Sequence, residues 1–392
     1  MPQPPIIDLK CPCRCLTSGP DHYFYGYYDN PAWSADQQYH LCHRVKFWDR
    51  IPTPQDSAVL GLIRLENQHF LPIAETTAWN FQQGSMLQWH PQAPNDLIIF
   101  NRFVDGRLVA AIRNVKTGDE RHLPRPLANV DPTGRFGLSV NFSRLFAFRP
   151  GYGYPHLPDP NAHIDHPADD GIWRVDLQTG KSDLILSLRD IAAVDPQATS
   201  GRKILINHIN FNTDGTRFVF LSRTFATPAN PHWTTAIYTA DLDGNCFPLR
   251  PYAYASHYHW RDPQHVLFHS GTHETTGELR LLSDLSPEEQ LIDPAFFKAD
   301  GHCSYSPDRR WLLYDSYPIA GYRYLYLYDL VRQQGLTLGA FRSGIHDRTD
   351  YRTDLHPRWN RTGTAVSFDS THEDCRRIYT MDLTELLNRP TL

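Results

Sequence analysis

The 392-residue sequence predicts an all-β fold, a seven-bladed β-propeller in which each blade is a four-stranded antiparallel meander. The first observation is a unit of roughly 40 to 55 residues that recurs along the whole chain. The second is its internal pattern, a polar turn, an alternating apolar run, and a further strand ending in Asp-Leu or a glycine turn. The third is composition, because 31 prolines suit short strands and loops, and 41% hydrophobic residues supply a core.

The last unit shows the pattern most clearly. Its turn is Asn360-Arg-Thr-Gly363, followed by the alternating run 364–369 and a strand ending at 378–382. The other units place their first long strand at residues 39–45, 97–101, 136–142, 218–222, 265–269 and 311–315. Their next strands are expected at residues 60–65, 110–115, 171–176, 236–241, 277–282 and 324–329. The alternative is a two-sheet β-sandwich, into which one meander per period is hard to fit.

Length and charge bound the class of protein. We expect one propeller domain over residues 1–392, with a long loop insertion at about 149–171. A formal net charge of −5 without a basic block argues against a nucleic-acid partner. No signal peptide or membrane span is visible, so we expect a cytoplasmic monomer. Cys11-Pro-Cys13-Arg-Cys15 is interpreted as a segment that closes the propeller, with a metal site as the alternative.

Several cationic and aromatic side chains lie at equivalent strand ends, where propellers present their ligand sites. The candidates before the long loop are His22, His43, Trp89 and Arg102. The candidates in and after the loop are Arg149, Tyr152, Tyr154, His208 and Arg223. A long loop on a regular scaffold is often functional. The periodic placement therefore predicts a channel mouth that binds an anionic ligand.

Such a set suits β-elimination on a uronate polymer. Arg or protonated His would neutralise the sugar carboxylate, a neutral His or Tyr would take the C5 proton, and a Tyr hydroxyl would protonate the departing glycosidic oxygen. A hydrolytic glycosidase would need two opposed carboxylates, and no such pair is evident in the sequence.

Long segments carry a family resemblance, among them HYFYGYYDNPAWS, NFSRLFAFRPGYGY, NHINFNTDGTRFVFLSR and DLHPRWNRTGTAVSFDSTH. The chain resembles the seven-bladed β-propeller polysaccharide lyases, the ulvan lyase group most closely and the oligogalacturonate lyases more distantly. The resemblance implies that His22 and His43 are the catalytic histidine pair, Tyr152 the catalytic tyrosine and Arg102 the carboxylate-binding arginine. Tyr154, Arg149, His208, Arg223 and Trp89 are then expected to bind a uronate-containing glycan.

The resemblance also implies one structural zinc, or another divalent metal, and no organic cofactor. The matching ligand positions are His257, His302, Asp315 and His356. Thr353 stands where the family has a cysteine, so Cys303 would have to substitute, or the site is altered or empty. The alternative for these residues is a polar hydrogen-bond network between blades.

Other function classes remain open from the residues alone. Without a secretion signal, a lyase would act on short uronate oligosaccharides or on a glycan made inside the cell. The main alternative is a non-catalytic propeller that binds a glycan or a protein during polysaccharide biosynthesis or processing. A peptidase-type propeller is disfavoured, because the sequence has no Gly-x-Ser-x-Gly motif and no second α/β domain.

Overall fold

The computed structural model describes residues 6–7, 9–271, 277–344, 346–347 and 349–389, and this part of the chain is all-β apart from four short helices. The strands of its first half are β1 Ile6–Ile7, β2 Cys13–Cys15, β3 His22–Phe24, β4 Tyr39–Val45, β5 Ala58–Arg64, β6 Phe70–Thr76, β7 Gln88–Trp89, β8 Leu97–Val104, β9 Arg107–Asn114, β10 Glu120–Leu123, β11 Asn129–Val130, β12 Phe136–Ser139, β13 Gly171–Asp176 and β14 Ser182–Ser187. Those of its second half are β15 Ile204–Phe211, β16 Arg217–Thr224, β17 Thr235–Asp241, β18 Cys246–Asp262, β19 His265–Gly271, β20 Glu278–Ser283, β21 Glu289–Leu291, β22 Cys303–Tyr305, β23 Trp311–Asp315, β24 Tyr322–Asp329, β25 Gln334–Arg342, β26 Arg358–Trp359, β27 Ala365–Ser370 and β28 Arg377–Asp382. The helices are α1 Phe142–Phe148, α2 Leu188–Val194, α3 Pro196–Thr199 and α4 Thr384–Leu387.

Strands that follow one another in the chain are neighbours in the sheets, as expected for meanders. Three sheets contain four consecutive strands each, β3–β6, β7–β10 and β11–β14. Strands β22–β25 form a sheet that β1 extends, strands β26–β28 form one that β2 extends, and β15–β21 form a seven-stranded sheet. The structure thus has the predicted antiparallel meanders. The closed seven-bladed propeller stays a prediction.

The seven-stranded sheet changes partners within β18. Residues Cys246 to Ala253 pair with β17, and residues Tyr254 to Asp262 pair with β19. One continuous strand therefore completes one four-stranded group and begins the next. This continuity was not predicted, because two predicted repeat units meet at residues 246–262 and the repeat pattern assigns a separate strand to each.

Most predicted strands lie where the pattern placed them. β4, β13 and β23 have the predicted bounds, and the other first and second strands of the units overlap their predictions. The run predicted over 136–142 is different, because β12 ends at Ser139 and α1 begins at Phe142. Asn141 is the N-cap of this helix, and its side chain accepts a hydrogen bond from the backbone N–H of Arg144.

A hydrogen bond from a tryptophan side chain links neighbouring sequence repeats at three places. The indole Nε1 of Trp89 donates to the carbonyl oxygen of Ala32 at 3.1 Å. Trp260 donates in the same way to Asn210, and Trp359 to Ser304, both at 3.3 Å. Each acceptor belongs to the preceding repeat and directly precedes the aromatic residue that is equivalent to the tryptophan in that repeat. These equivalent residues are Trp33, Phe211 and Tyr305. The repeat in sequence is therefore a repeat in contacts.

By its internal contacts the chain groups into two compact units, which are larger than the sequence repeats and are called the first and the second unit below. The first unit comprises Met1–Ile99, Arg113–Asp119 and Ala299–Leu392, and the second comprises Phe100–Ile112 and Glu120–Lys298. In the first unit, apolar residues of the last two sheets pack together, including Trp311, Leu325, Phe341, Val366 and Phe368. In the second unit, a corresponding core contains Val219, Ile237, Tyr258, Phe268 and Leu282. The single-domain organisation stays a prediction.

The thiol-rich N-terminal segment supplies an edge strand, and its role in closing a propeller stays a prediction. Cys13, Arg14 and Cys15 pair with Met381, Thr380 and Tyr379 of β28. The thiols of the described cysteines are all free. In the described part of the chain, no helix is long and apolar enough to cross a membrane.

Candidate active site and metal centre

Three predicted site residues of the second unit meet in one cluster. The rings of Tyr152 and His208 lie edge to face with centroids 5.5 Å apart, and His208 lies 6.3 Å from the ring of His257. All three residues are nearly buried, with exposed fractions of 4% for Tyr152, 7% for His208 and 4% for His257. The cluster therefore brings one phenol and two imidazoles together in a nearly buried position.

The long loop delivers Tyr152 by packing closely on α1. A Cβ atom on Gly153 would lie 2.2 Å from the backbone nitrogen of Phe146, so only glycine permits this approach. Tyr154 follows, and its ring stacks on Phe142 with centroids 4.5 Å apart. The motif Tyr-Gly-Tyr thus fixes the loop against the helix and places Tyr152 beside His208.

Irregular backbone directs the two histidines. His208 has a positive φ of 48° and lies where the register of β15 shifts against β16, between Asn207 and Ile209. The side-chain oxygen of Asn207 accepts its backbone N–H at 2.8 Å. His257 lies where β18 shifts register against β19, between Ala255 and Tyr258. Bulges that redirect a side chain are common beside active sites.

Two arginines lie near the cluster in the fold, Arg149 in the long loop and Arg223 on a strand that pairs with that of His208. The guanidinium of Arg149 lies 4.6 Å from the ring centre of Tyr152 and 5.8 Å from that of Trp233. Arg223 lies on β16, the strand that pairs with the strand of His208, and is 5% exposed. Stacking on an aromatic ring holds a guanidinium in place, and a guanidinium can bind a carboxylate with two parallel N–H groups.

A second polar cluster lies in the first unit around His302 and His356. Their Nε2 atoms are 3.0 Å apart and their rings are nearly perpendicular. Asp315 accepts from the backbone N–H groups of both residues, and its carboxylate lies 2.9 Å from Nδ1 of His302. This contact makes Nδ1 of His302 the protonated nitrogen and turns the lone pair of Nε2 toward His356.

Asp354 is the third member and was not among the predicted ligands. Its Oδ2 lies 4.0 Å from Nε2 of His356. Arg323 and Arg352 also hold this carboxylate, at 2.7 and 2.9 Å. Burial raises the pKa of Asp354, but the two guanidiniums outweigh burial and hold it well below its usual range. Asp354 is therefore an anion inside a buried cluster.

The donor set fits a divalent ion that accepts imidazole. Ligand atoms of His302, Asp354 and His356 all lie within 4.8 Å of one another. The Nε2 atoms of His302 and His356, 3.0 Å apart, are close enough together to bind one ion. Asp315 has the position of an outer carboxylate that orients His302 rather than that of a ligand. The two arginines on Asp354 reduce the negative charge of the site and thereby its affinity.

The other predicted ligands lie elsewhere. His257 belongs to the second-unit cluster and not to this group. Cys303 is buried, and burial raises the pKa of its thiol well above the usual value, which disfavours the thiolate that a metal needs. Thr353 is buried and directly precedes Asp354 in the chain, and its hydroxyl is a poor ligand for zinc. Without an ion, the cluster is the hydrogen-bond network that the sequence left as the alternative.

The histidines of both clusters occupy one equivalent position of the sequence repeat, which was not predicted. His208, His257, His302 and His356 each stand three residues before the aromatic residue of their unit, Phe211, Trp260, Tyr305 and Trp359. Four consecutive units thus carry histidine at one repeat position. Aligning the units on this aromatic residue would have grouped the four histidines without a structure.

The predicted pair His22 and His43 is not presented as expected. His43 is fully buried, stacks on Phe24 at 4.8 Å, and accepts the backbone N–H of Ser85 on Nε2 at 3.0 Å. Burial lowers its pKa to about 3, so it is a neutral core residue. His22 is partly exposed, and its Nδ1 lies 3.3 Å from the sulfur of Cys375. We therefore assign neither a contact with the substrate.

Three further candidates have structural partners. Arg102 forms an ion pair with Glu120 at 2.5 Å, so its charge is already balanced. The hydroxyl of Tyr154 accepts from Asn101 at 2.9 Å in a fully buried position. Trp89 is fully buried and makes the bond between units described above. These side chains hold the scaffold and do not line the cluster of Tyr152.

Comparison with solved structures shows the fold. An oligogalacturonate lyase from Vibrio parahaemolyticus is 13% identical with a TM-score of 0.65, the match covering 97% of this chain and 95% of that one. An oligogalacturonate lyase in complex with manganese is 14% identical with a TM-score of 0.68, covering 98% and 96%. The β-propeller domain of the Trilobed protease from Pyrococcus furiosus is 12% identical with a TM-score of 0.53, covering 92% and 96%. The chain is thus similar in fold to propeller proteins, a lyase among them.

No protein-family model matches the sequence, and no curated protein matches it. Any assignment of activity must therefore come from the chemistry of the side chains.

Proposed function

We propose that this protein is a lyase that cleaves uronate-containing oligosaccharides by β-elimination. The observation that carries the proposal is the cluster of Tyr152, His208 and His257, with Arg149 stacked on Tyr152. The similarity in fold to two oligogalacturonate lyases supports the same class of substrate. Seven blades and a closed channel belong to this proposal.

Each group has a role in the reaction. Arg149 and Arg223 bind the uronate carboxylate, which withdraws charge and acidifies the C5 proton. The His208–His257 pair supplies the base that takes this proton, and the C5–H electrons form the C4–C5 double bond. The C4–O bond breaks, and the hydroxyl of Tyr152 gives its proton to the departing oxygen. The products are a 4,5-unsaturated uronate and a sugar with a new hydroxyl group.

His302, His356 and Asp354 would hold a divalent ion, with Asp315 orienting His302. A bound ion supplies positive charge that can attract a carboxylate. Two imidazoles suit zinc and similar transition metals, and the carboxylate of Asp354 also suits manganese.

The test is the ultraviolet absorbance of 4,5-unsaturated uronate, followed with galacturonate, glucuronate and iduronate oligosaccharides. We expect Tyr152→Phe and His257→Ala each to lower kcat about 100-fold or more, because each removes a proton-transfer group. His163→Ala is the control, since His163 is exposed on the same loop. Circular dichroism and melting temperature must match the wild type. Full activity in the first two variants would remove this site from consideration.

A second candidate is binding of a uronate glycan without catalysis. The small exposed fractions of Tyr152, His208 and His257 favour it, because a reacting sugar must reach all three. Saturable binding with no absorbance change across all the oligosaccharides would select this candidate.

A further inference from the structure

A cavity of about 550 Å³ lies in the second unit, and none of the residues in the Tyr152 cluster lines it. Its wall is formed by the start of β9, by residues 124–126 and 139–143, by two parts of the long loop near residues 157–161 and 169–170, and by Trp173. Cavities of about 300–1,000 Å³ are typical of small-molecule sites. This cavity is therefore large enough for a sugar residue.

Arg125 is the central cation of the wall. Its guanidinium carbon lies 3.3 Å from the ring centre of Trp173, and the side chain is half-buried. In the described part of the chain, no carboxylate lies within 4 Å of this guanidinium and none of its N–H groups makes a hydrogen bond. Burial lowers the pKa of Arg125, while nearby Asp170 raises it. A cation that is partly desolvated, stacked and unpaired is prepared for an anionic ligand.

The other lining groups suit the rest of a sugar. Arg107 is exposed on the wall and adds a second guanidinium. Asn161 and Asp169, which are linked by a hydrogen bond of 3.2 Å, present an amide and a carboxylate to hydroxyl groups. Asp170 also lines the cavity, where its carboxylate accepts a hydrogen bond from the side-chain amide of Asn141 at 2.7 Å.

We propose that this cavity is a second, non-catalytic subsite that binds one uronate residue, with its carboxylate on Arg125 and Arg107. The choice of a uronate rather than another carboxylate rests on the proposed function. A subsite outside the reacting cluster would hold a longer oligosaccharide at two points and raise its effective concentration at Tyr152.

The test is a titration of the whole protein with tetragalacturonate, followed by nuclear magnetic resonance of the Trp173 indole N–H. The Trp173→Phe variant assigns this signal. We expect the signal to shift saturably, and Arg125→Gln to weaken binding about 10-fold or more, because charge-assisted hydrogen bonds are lost. Arg107→Gln should weaken it less, since that side chain is exposed. Arg189→Gln, an exposed arginine on α2, should leave the affinity unchanged.

Two results would overturn the subsite. One is an unchanged affinity in both Arg125→Gln and Arg107→Gln, and the other is equal binding of a neutral galactose tetrasaccharide at the Trp173 signal. The failure of the subsite differs from that of the catalytic proposal. Turnover without a response of Trp173 removes the subsite alone, and a response that depends on Arg125 without turnover on any uronate removes the lyase alone.

Discussion

At the scale of single residues, burial decides what a histidine can do. His40 and His43 lie on β4, both fully buried, and burial lowers each pKa to about 3. Nδ1 of His40 lies 2.7 Å from the carbonyl oxygen of Leu41, and its Nε2 lies 2.9 Å from the hydroxyl of Ser367. Both imidazoles are therefore neutral parts of the core, and folding must oppose their protonation.

The lowered pKa values of His40 and His43 predict the direction in which the free energy of unfolding changes with pH. Between about pH 6.5 and pH 3 the unfolded chain binds protons at these two positions that the folded chain does not, so stability falls as the pH falls. Each histidine contributes a slope of up to about 1.4 kcal/mol per pH unit. This slope is measured by comparing the free energy of unfolding from urea titrations at pH 7 and pH 5.5. His43→Gln should make the slope shallower, and His163→Ala should not. A stability that is constant over this range would contradict the assignment.

The sequence could predict the type of these residues but not the direction of each side chain. Tyr152 and His208 were predicted as site residues and lie together, whereas His43 was predicted at the same mouth and lies in the core. Alternation along a strand normally separates a buried face from an exposed one. In β4, however, residues on both faces are buried, so the alternation does not show which side chain is accessible. Which histidine remains at an edge depends on bulges such as that at His208, which no local pattern marks.

At the scale of elements, α1 and the long loop depend on one buried arginine. Arg144 is 1% exposed, and its Nε donates to the carbonyl oxygen of Ile204 at 2.7 Å. Its two terminal nitrogens bind Asp159 at 3.0 Å and the carbonyl oxygens of Asn161, Ile164 and Asp165 at 3.2, 3.1 and 2.8 Å. One side chain thus ties the helix, β15 and the loop together.

We predict that Arg144→Lys loosens the loop. A lysine has one ammonium group and cannot make five directed hydrogen bonds, so the carbonyl oxygen of Ile204 and those of the loop lose donors at a cost of about 1–3 kcal/mol. Limited proteolysis should then cut within 149–171 faster than in the wild type. Arg174→Lys is the matched control, because Arg174 is partly exposed in the same unit. Equal cleavage of the wild type and Arg144→Lys would show that the loop does not need this anchor.

The elements themselves were largely predictable, and the exceptions have physical causes. The Asn-x-x-Gly turn at 360–363 and its alternating run indicated β27, which spans Ala365–Ser370. The helix α1 was missed because Phe142 continues the apolar pattern of β12, and its start is fixed by the cap at Asn141. The unbroken β18 was missed because the exchange of partners at residues 253–254 is tertiary.

At the scale of the whole molecule, the two units carry different chemistry. The second unit contains the Tyr152 cluster and the cavity of Arg125, and the first contains the cluster of His302, Asp354 and His356. The sequence predicted one domain, and the contacts alone group the chain into two units. In the described part of the chain, the group of His302, Asp354 and His356 lies in the first unit, so metal binding can distinguish one cooperative body from two.

We predict a single calorimetric unfolding transition that shifts as a whole to higher temperature when Mn²⁺ or Zn²⁺ is added. An ion that binds only the folded state stabilises it by about 2.7 kcal/mol at a concentration of 100 times Kd. His302→Ala should abolish the shift because it removes a ligand, and Asp315→Asn should reduce it because it loosens the orientation of His302. Asp374→Asn is the control, since Asp374 is exposed in the same unit and pairs with Arg342. Two transitions, of which the ion moves only one, would show that the units unfold separately; no shift with either ion would mean that the cluster is a hydrogen-bond network.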